Sequence, residues 1–288
     1  MIDLHMHTTC SDGTETVEEL IDNVLKMGID YFAITDHDTA LACRKVFDSE
    51  NLKSKIKENN ATFVPGVEFT CVYNTRKVHI LAYDIDPFSK EVLELEQKLK
   101  NLLKEKDDDR KVLLEKDGYK LSAESLAFLN ERINIRTPDM ANCLVNDGYF
   151  DTLDNACSYL KSLKYARQYL YDAVEVIEKM SKSGAKVVWA HPFYGVGQKP
   201  LTIEQVEEFA KVFKDLGMVG LECYYSLYNK EQIDMLRNLA KNMGLYITCG
   251  SDYHGKNKTV KLANRSIDGS YVDENEIKII KIFKNTVN

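Results

Sequence analysis

The sequence predicts an α/β fold in which helices pack outside a parallel sheet or barrel. Strand and helix signals alternate over residues 1–83 and alternate again after Gly184, which is typical of repeated β–α units. All six histidines fall at or just beyond the end of a predicted strand. The composition, with 44% apolar and 29% charged residues, is that of a globular chain whose 288 residues allow a full core.

The first strands and helices are predicted from apolar spacing and capping residues. A strand over residues 1–8 is followed by the capping box Thr16-Val-Glu-Glu19, which opens a helix that ends near Gly28. The next elements are a strand at 31–35, a helix at 40–58 and strands at 62–72 and 78–83.

The region from residue 88 to 183 differs, because it carries helix signals and almost no strand signals. We interpret it as an inserted helical subdomain, so the predicted domains are a barrel of residues 1–87 and 184–288 and an insertion of residues 88–183. After the insertion the predicted elements are strands at 185–190, 218–225 and 245–250 and helices at 202–216, 229–243 and 274–285. The helix at 202 opens with a second capping box, Thr202-Ile-Glu-Gln205.

Charge and cysteine usage limit the partners and the compartment. The net charge of −7 and the sequence pI of about 5.5 argue against binding duplex nucleic acid, which needs a basic face, but allow a small phosphorylated substrate. The seven cysteines are dispersed without a CxxC pair, which is typical of a reduced, cytoplasmic protein. We find neither an apolar leader nor a run of ~18 apolar residues, and so predict no association with a membrane.

Histidines and carboxylates recur at the strand ends in a pattern suited to metal binding. Side chains at i and i+2 of a strand share a face, so His5 and His7 are expected to point at one metal, and Asp252 and His254 repeat the arrangement. Since the carboxyl ends of barrel strands open on one side, ligands from distant positions converge there. Imidazole together with carboxylate suits Zn, Mn or Fe.

Each of these residues also has an ordinary structural interpretation. A lone histidine is more often a surface or core residue, and His79 lies in an apolar strand that would bury it. Asp36 and Asp38 are either partners that fix the His37 ring or simple turn acids. The structural interpretation weakens because the histidines share their position at strand ends with three acids, Asp12, Glu68 and Asp252.

The sequence resembles the PHP family, named for its polymerase-associated and histidinol-phosphatase members. The motifs that carry the resemblance run in family order to about residue 255: Asp3-Leu-His-Met-His7-Thr, Ser11-Asp-Gly-Thr14, Ile34-Thr-Asp-His-Asp38, Gly66-Val-Glu68, Ala190-His-Pro192 and Gly250-Ser-Asp-Tyr-His254. The resemblance implies an α/β fold with a distorted (β/α)7 barrel, an inserted helical subdomain, and two or three divalent metal ions (Mn, Zn or Fe).

The resemblance also implies which residues bind these metals. One metal would be held by His5, His7, Glu68 and Asp252, a second by Glu68 as a bridge with His79 and His191, and a third by Asp12, His37 and His254. The predicted catalytic residues are Asp252, His254 and His191, with Asp252 or His254 orienting or relaying a proton. A hydroxide that bridges two metals would attack phosphorus in line.

The activity that the resemblance implies is hydrolysis of a phosphate ester of a nucleotide, such as a 3′,5′-bisphosphonucleotide or the 5′ end of a short RNA. Histidinol phosphatases tend to have histidine at the position of Asp12, which favours the nucleotide branch. The alternatives are a small-metabolite phosphatase of the histidinol-phosphate type and a non-catalytic metal- or ligand-binding module. Arg136 and Arg167 are the predicted phosphate contacts, and Tyr165 and Tyr169 are candidates for stacking on a base.

Two departures from the family pattern affect the substrate pocket and leave the metal ligands in place. Related chains often read Arg-Pro-His where this one reads Arg136-Thr-Pro138-Asp139. Tyr228 stands where a histidine often follows the tyrosine pair of Glu222-Cys-Tyr224-Tyr225. The sequence therefore constrains the substrate less than it constrains the reaction class.

Overall fold

The computed structural model describes residues 1–131, 135, 137–165, 167–194, 198–269 and 272–288. These residues form two compact units, one of residues 1–96 and 171–288 and one of residues 97–170. The second unit is shorter on both sides than the predicted insertion of residues 88–183, whose assignment as a subdomain stays a prediction. No helix in the described ranges combines the length and the apolar character that a membrane crossing needs.

The first unit is built on a barrel of strands. They are β1 (Ile2–Asp3), β2 (Tyr31–Ile34), β3 (Thr62–Tyr73), β4 (Arg76–Tyr83), β5 (Tyr171–Asp172), β6 (Lys186–Trp189), β7 (Gly220–Tyr225) and β8 (Tyr246–Gly250). The path runs β1-β2-β3-β4-β6-β7-β8, with the short β5 beside β3. Between β1 and β8, the Leu4 N–H bonds the Cys249 carbonyl at 3.0 Å and the Asp252 N–H bonds the His5 carbonyl at 2.8 Å. The predicted distorted (β/α)7 barrel is confirmed.

The distortion of the barrel comes from β4, which runs antiparallel to both of its neighbours. Only Asn74 and Thr75 separate it from β3, with φ of 46° and 63°. Two successive residues with positive φ form the tight turn of a hairpin, and so short a connection allows only antiparallel pairing. The start of β4 consequently lies at the barrel mouth where the parallel strands end, which is why His79 reaches the same mouth as the residues that follow β1, β2, β6 and β8.

Helices separate most of these strands along the chain, except β3 and β4. They are α1 (Val17–Lys26), α2 (Leu41–Asp48), α3 (Glu50–Glu58), α4 (Lys90–Lys116), α5 (Ala123–Asn130), α6 (Thr137–Asn146), α7 (Leu153–Ser162), α8 (Ala173–Lys182), α9 (Ile203–Asp215) and α10 (Lys230–Met243). Helix α4 runs from the first unit into the second, and α5 to α7 belong to the second.

Both predicted capping boxes are present, at Thr16 for α1 and at Thr202 for α9. The helix predicted over residues 40–58 divides at Ser49, whose hydroxyl accepts the Leu52 N–H at 3.3 Å and starts α3. The apolar face of α1 is fully buried in the core of the first unit: Val17, Leu20, Ile21 and Val24. Local sequence signals and core packing therefore agree for the helices around the barrel.

The second unit has a hydrophobic core of its own, formed by Leu114, Leu121, Leu129, Met140, Ala141, Cys143, Leu144, Ala156 and Leu160. The Asp147 carboxylate accepts hydrogen bonds from the Ser122 N–H at 2.9 Å and from the Ser125 hydroxyl at 2.9 Å. Because Ser122 caps α5 and Asp147 follows α6, these bonds fix the start of one helix against the end of the next.

The helix predicted over residues 274–285 is wrong. The chain forms only two short 3₁₀ turns there, Glu274–Glu276 and Lys278–Ile282. Beyond them it is held in a non-helical path, because the Asn285 N–H bonds Asp84 at 2.6 Å and Val287 pairs with Phe63 of β3. These tertiary bonds outweigh the helix propensity of the segment.

The side chain of Glu276 fastens this terminal segment to α10 and β7. Its carboxylate accepts two bonds from Arg237, at 2.6 and 2.8 Å, one from the Lys241 ammonium at 2.6 Å and one from the Tyr224 hydroxyl at 2.9 Å. The hydrogen bond from Arg237 is the main cause that lowers the pKa of Glu276 to about 2. A carboxyl group with a depressed folded-state pKa stabilises the protein above its unfolded pKa of about 4.3, and the effect is lost as the pH falls toward the folded value.

We therefore expect Glu276→Gln to lower the melting temperature at pH 7 by about 2–4 °C, since the lost bonds contribute on the order of 1 kcal/mol. The difference between the variant and the parent should narrow as the pH falls below about 4.5. Melting curves over a pH series measure both effects. Glu58→Gln, at the exposed end of α3, is the control and should change neither. A difference independent of pH would show that the charge of Glu276 is not what stabilises the segment.

Candidate metal centre

The barrel mouth brings together every residue predicted to bind metal. His5 and His7 follow β1, Asp12 lies in the loop before α1, His37 follows β2, Glu68 lies in β3, His79 in β4, His191 after β6, and Asp252 and His254 after β8. Their ligand atoms and those of Glu222 form overlapping groups whose members all lie within 4.8 Å of one another: His7, Asp12, His37 and His254; His5, His7, Glu68 and Asp252; His5, His191 and Glu222; His37, Glu68 and His79.

Glu68 is the centre of this arrangement, and its side chain is completely buried. Its Oε2 atom lies 3.1 Å from His5 Nε2, 3.2 Å from His7 Nε2 and 3.2 Å from His37 Nδ1. Its Oε1 atom lies 2.8 Å from His79 Nδ1 and 3.1 Å from His191 Nε2. The two oxygens therefore face two separate sets of imidazoles, as a carboxylate that bridges two cations does.

The donor atoms of the cluster fit metal ions better than they fit one another. The described atoms that are buried without a hydrogen-bond partner include His5 Nε2, both ring nitrogens of His7, His37 Nδ1, Glu68 Oε2, His79 Nδ1 and His254 Nε2. A buried polar atom without a hydrogen-bond partner destabilises the fold. Such a large number of them in one place therefore indicates that a partner is missing. Ligands bound at 2.0–2.2 Å to one ion lie about 3–3.5 Å apart, which matches the distances around Glu68.

Asp12 closes the outer side of the cluster. Its side chain is 55% exposed, and its Oδ1 lies 3.2 Å from His254 Nε2 and 3.7 Å from His7 Nδ1. Its Oδ2 lies 3.9 Å from His37 Nε2. Although partial burial acts to raise it, the pKa of Asp12 is lowered by the adjacent His254 ring and by the charges of His37 and His7.

The surroundings of four imidazoles in the cluster shift their pKa values in opposite directions. Burial opposes charge on His5 and His7, but the neighbouring carboxylates prevail and raise the pKa of His5 well above its usual value and that of His7 to about 9. For His37, burial prevails and lowers the pKa to about 3, and the pKa of His79 is lowered for the same reason. Metal ligation requires neutral imidazole, so metal binding releases the protons that His5 and His7 hold.

Asp36 and Asp38 position the loops around His37. The hydrogen bonds of their carboxylates go to residues other than His37. The Asp36 carboxylate accepts the Thr8 N–H at 2.8 Å and the Ser11 hydroxyl at 2.6 Å. Asp38 accepts the Thr70 N–H at 2.7 Å, and burial raises its pKa to about 7. Asp36 therefore holds the chain that carries His7 and Asp12 against the end of β2, and Asp38 holds the loop after β2 against β3.

Three residues with a strained backbone lie at the same mouth. Asp38, His191 and Asp252 are non-glycine residues with positive φ, of 60°, 30° and 56°. This conformation is unfavourable for L-residues and persists where the surrounding structure imposes it, frequently at functional sites.

Glu222 is a site residue that the sequence motifs did not assign to the metal centre. It is fully buried in β7, where its Oε1 lies 2.9 Å from His5 Nδ1 and its Oε2 accepts the His191 N–H at 2.9 Å. It lies behind these two histidines, because His5 Nε2 and His191 Nε2 face Glu68 on the other side. The sequence signals were an acid inside the otherwise uncharged strand Gly220–Tyr225 and its place in the motif Glu222-Cys-Tyr224-Tyr225.

Gly250 allows Glu222 and His5 to approach each other. A Cβ added to Gly250 would overlap the Cβ of His5 and lie 2.7 Å from Glu222 Oε1. We expect Gly250→Ala to lose about 1–3 kcal/mol of stability through overpacking and to bind less metal. Gly28→Ala, where φ is 69° but the surrounding space is open, should lower only the melting temperature. Unchanged metal content in Gly250→Ala would contradict the role given to this close approach.

The predicted substrate contacts lie away from the barrel strands in sequence. Arg136 lies outside the described residues. Arg167 pairs with Glu105, and its guanidinium lies 5.0 Å from the centre of the Tyr169 ring. Tyr169 is buried and donates to Asp109, so it packs within the second unit. The Tyr165 hydroxyl accepts Arg110 Nε at 3.0 Å. The roles of Arg136 and Arg167 in substrate binding stay predictions.

Comparison with known proteins gives the family. Residues 3–153 match the PHP domain family. This chain belongs to the PHP domain family. It is 30% identical over 259 residues to the 5′-3′ exoribonuclease Rnm of Escherichia coli K12, covering 88% of this chain and 84% of that protein. It is 24% identical over 264 residues to the 3′,5′-nucleoside bisphosphate phosphatase of Chromobacterium violaceum, covering 88% of this chain and 87% of that protein.

A solved structure from Bifidobacterium adolescentis, described as a metal-dependent phosphoesterase, has the same fold as this PHP protein. The TM-score is 0.65 and the identity 27%, over 96% of this chain and 95% of that one. Family membership and the cluster of imidazoles and carboxylates together make this chain a metal-dependent phosphoester hydrolase, as the sequence predicts.

Proposed function

We propose that this PHP protein hydrolyses a phosphate ester of a nucleotide, either a 3′,5′-bisphosphonucleotide or the 5′ end of a short RNA. The observation that carries the proposal is the set of histidines and acids gathered around the two oxygens of Glu68. The names of the two relatives that match 88% of the chain support this substrate class, since one is an exoribonuclease and the other a nucleoside bisphosphate phosphatase.

The proposed cofactors are two or three divalent ions of Mn, Zn or Fe, with Glu68 as the bridging ligand. The proposed ligand sets are His5, His7, Glu68 and Asp252; Glu68, His79 and His191; and Asp12, His37 and His254. When bound, such ions supply an ionised water at neutral pH and neutralise the phosphate oxygens. The first set is one of the groupings of ligand atoms, and the third lies within another. The second set is supported by the distances from Glu68 Oε1 to His79 and His191.

Asp252 and His254 are proposed to handle the proton at the outer edge of the cluster. The Tyr225 hydroxyl donates to Asp252 Oδ2 at 3.0 Å, so the other oxygen, Oδ1, faces His7 Nε2 at 3.2 Å. His254 Nδ1 lies 2.8 Å from the Asp252 carbonyl, which turns Nε2 toward Asp12. The backbone of His191 is strained, with a positive φ. We propose that its ring helps to hold the substrate phosphate in line with Asp252 and His254.

An exposed aromatic ring beside the cluster supports a nucleotide substrate. Tyr194 is 48% exposed, and its ring centre lies 6.4 Å from that of His191 and 5.8 Å from that of Tyr225. Base stacking on an exposed aromatic side chain contributes about 1–3 kcal/mol. A base on Tyr194 would leave the phosphate of the same nucleotide beside His191.

The proposed environment is the cytoplasm, with small phosphorylated substrates as partners. All seven cysteines are free thiols, which suits a reducing compartment. The net charge of −7 opposes binding to duplex nucleic acid or to an anionic membrane surface.

A substrate panel tests the proposal. The Mn-loaded protein is incubated with 3′,5′-bisphosphoadenosine, a 5′-phosphorylated RNA trimer, AMP, a cyclic nucleotide and histidinol phosphate. We expect release of phosphate or mononucleotide from the first two. Release from histidinol phosphate alone, or from none of the panel with metal confirmed bound, would overturn the proposed substrate. His37→Ala, purified in parallel, should be almost inactive and controls for contaminating phosphatases.

A further inference from the structure

Lys258 is a cation at the metal centre to which the proposed ligand sets give no role. Its ammonium donates to Asp252 Oδ2 at 2.7 Å. The same oxygen accepts the Tyr225 hydroxyl at 3.0 Å, while Asp252 Oδ1 faces His5, His7 and His254 at 3.2–3.6 Å. Lys258 therefore lies beside the cluster on the side of Asp252 that is turned away from the histidines.

Most of the hydrogen-bonding capacity of Lys258 is unused. An ammonium has three donors, and Asp252 is the partner that the described residues provide for one of them. The side chain is 40% exposed, so the other two donors are open to a ligand from solvent. Asp252 itself is only 5% exposed, which places the ammonium at the boundary between the buried cluster and the solvent.

We propose that Lys258 binds an oxygen of the phosphate group that is hydrolysed, which makes it a substrate-binding residue of the reaction. The inference rests on one part of the proposed function, namely that the phosphate group of the substrate binds at this cluster. A phosphate that reaches the face formed by His7, Asp252 and His254 lies within reach of an ammonium bonded to Asp252. Lysine binds phosphate as a point charge, so its contact does not require the fork geometry of arginine.

The chemistry of the surrounding carboxylates explains why a cation is useful here. Four acids lie at the same mouth, Asp12, Glu68, Glu222 and Asp252, and their negative charges offset part of the attraction between bound metal ions and a phosphate dianion. Lys258 offsets one of these charges on the solvent side, where the substrate arrives. A purely structural lysine would serve only to orient Asp252, and in that case its loss would weaken metal binding.

Binding of inorganic phosphate to the Mn-loaded protein separates these two roles without any turnover. Titration calorimetry measures the phosphate Kd, and elemental analysis measures Mn per chain. We expect Lys258→Met to bind phosphate about 10- to 100-fold more weakly, the loss of one charge-assisted hydrogen bond, with Mn content and Mn affinity unchanged. Lys258→Arg retains the charge and should keep most of the phosphate affinity.

Lys256→Met is the matched control, because Lys256 is an exposed lysine of the same loop whose backbone N–H, and not its side chain, is anchored to Thr14. It should bind phosphate as the parent does. An unchanged phosphate Kd in Lys258→Met would overturn the inference, and so would a loss of Mn in parallel with phosphate. The phosphate titration does not depend on which ester the protein hydrolyses. An inactive nucleotide panel would therefore count against the proposed substrate, and an unchanged phosphate Kd would count against the role of Lys258.

Discussion

Glu68→Gln should abolish turnover, with a loss of at least about 10³-fold in kcat, equivalent to about 4 kcal/mol in the barrier. Glutamine has almost the shape of glutamate, so the buried backbone of β3 and its pairing with β4 should be retained. One of its two terminal atoms becomes an NH₂ group, which binds no cation. Either the His5–His7–His37 side or the His79–His191 side then loses its shared oxygen.

The measurement is metal content per chain by elemental analysis, beside kcat on any phosphoester that the parent hydrolyses. We expect at least one metal to be lost and excess Mn not to restore activity, because the missing charge lies between the imidazoles. Glu15→Gln is the matched control, since Glu15 is a glutamate near the mouth whose carboxylate bonds the Tyr253 hydroxyl and not the cluster. Normal metal content and near-normal kcat in Glu68→Gln would refute the bridging role.

The gathering of the histidines at one mouth is predictable from sequence because it depends on short-range geometry. His5 and His7 share a side of the extended chain after β1 through their i, i+2 spacing. The carboxyl ends of parallel strands meet at one face, so the residues after β1, β2, β6 and β8 converge whatever their distance in sequence. The capping boxes of α1 and α9 are equally local, which is why both helix starts are correct.

The direction of β4 and the path of the C-terminal segment depend on contacts that periodicity does not encode. Alternating strand and helix signals favoured parallel strands, and only the two-residue connection at Asn74-Thr75 distinguishes β4. The terminal segment has helical spacing, but Asp84 and Phe63 hold it in another conformation. Both are cases in which pairing with distant strands overrides local preference.

Residues that act from behind the ligands leave even less trace in one sequence. Glu222 lies in a buried strand, far in sequence from the two histidines that it contacts. Lys258 lies in a loop where a lysine is normally solvated, and only its 2.7 Å bond to Asp252 distinguishes it from Lys256. Charge at such positions becomes meaningful once the fold shows what surrounds it.

Glu222→Gln is expected to weaken metal binding about 10- to 100-fold, the usual cost of losing a carboxylate that orients a ligand histidine. Its two oxygens have different partners, His5 Nδ1 and the His191 N–H. A glutamine can accept only one of these bonds, so the other donor faces an NH₂ group inside the protein. An unsatisfied buried donor costs about 1–3 kcal/mol, which should also lower the melting temperature of the metal-free protein.

The distinction from Glu68→Gln lies in the response to added metal. A residue that only orients His5 leaves all the ligands in place, so kcat in Glu222→Gln should recover as the Mn concentration rises, while the metal Kd stays high. Glu222 also lies within ligand distance of His5 and His191, and a direct role in binding a metal would give a different result. In that case one equivalent of metal would be lost and no concentration of Mn would restore kcat. Glu222 contacts Nδ1 of the His5 ring, on the opposite side from Glu68. This geometry favours the orienting role, in which added Mn restores kcat.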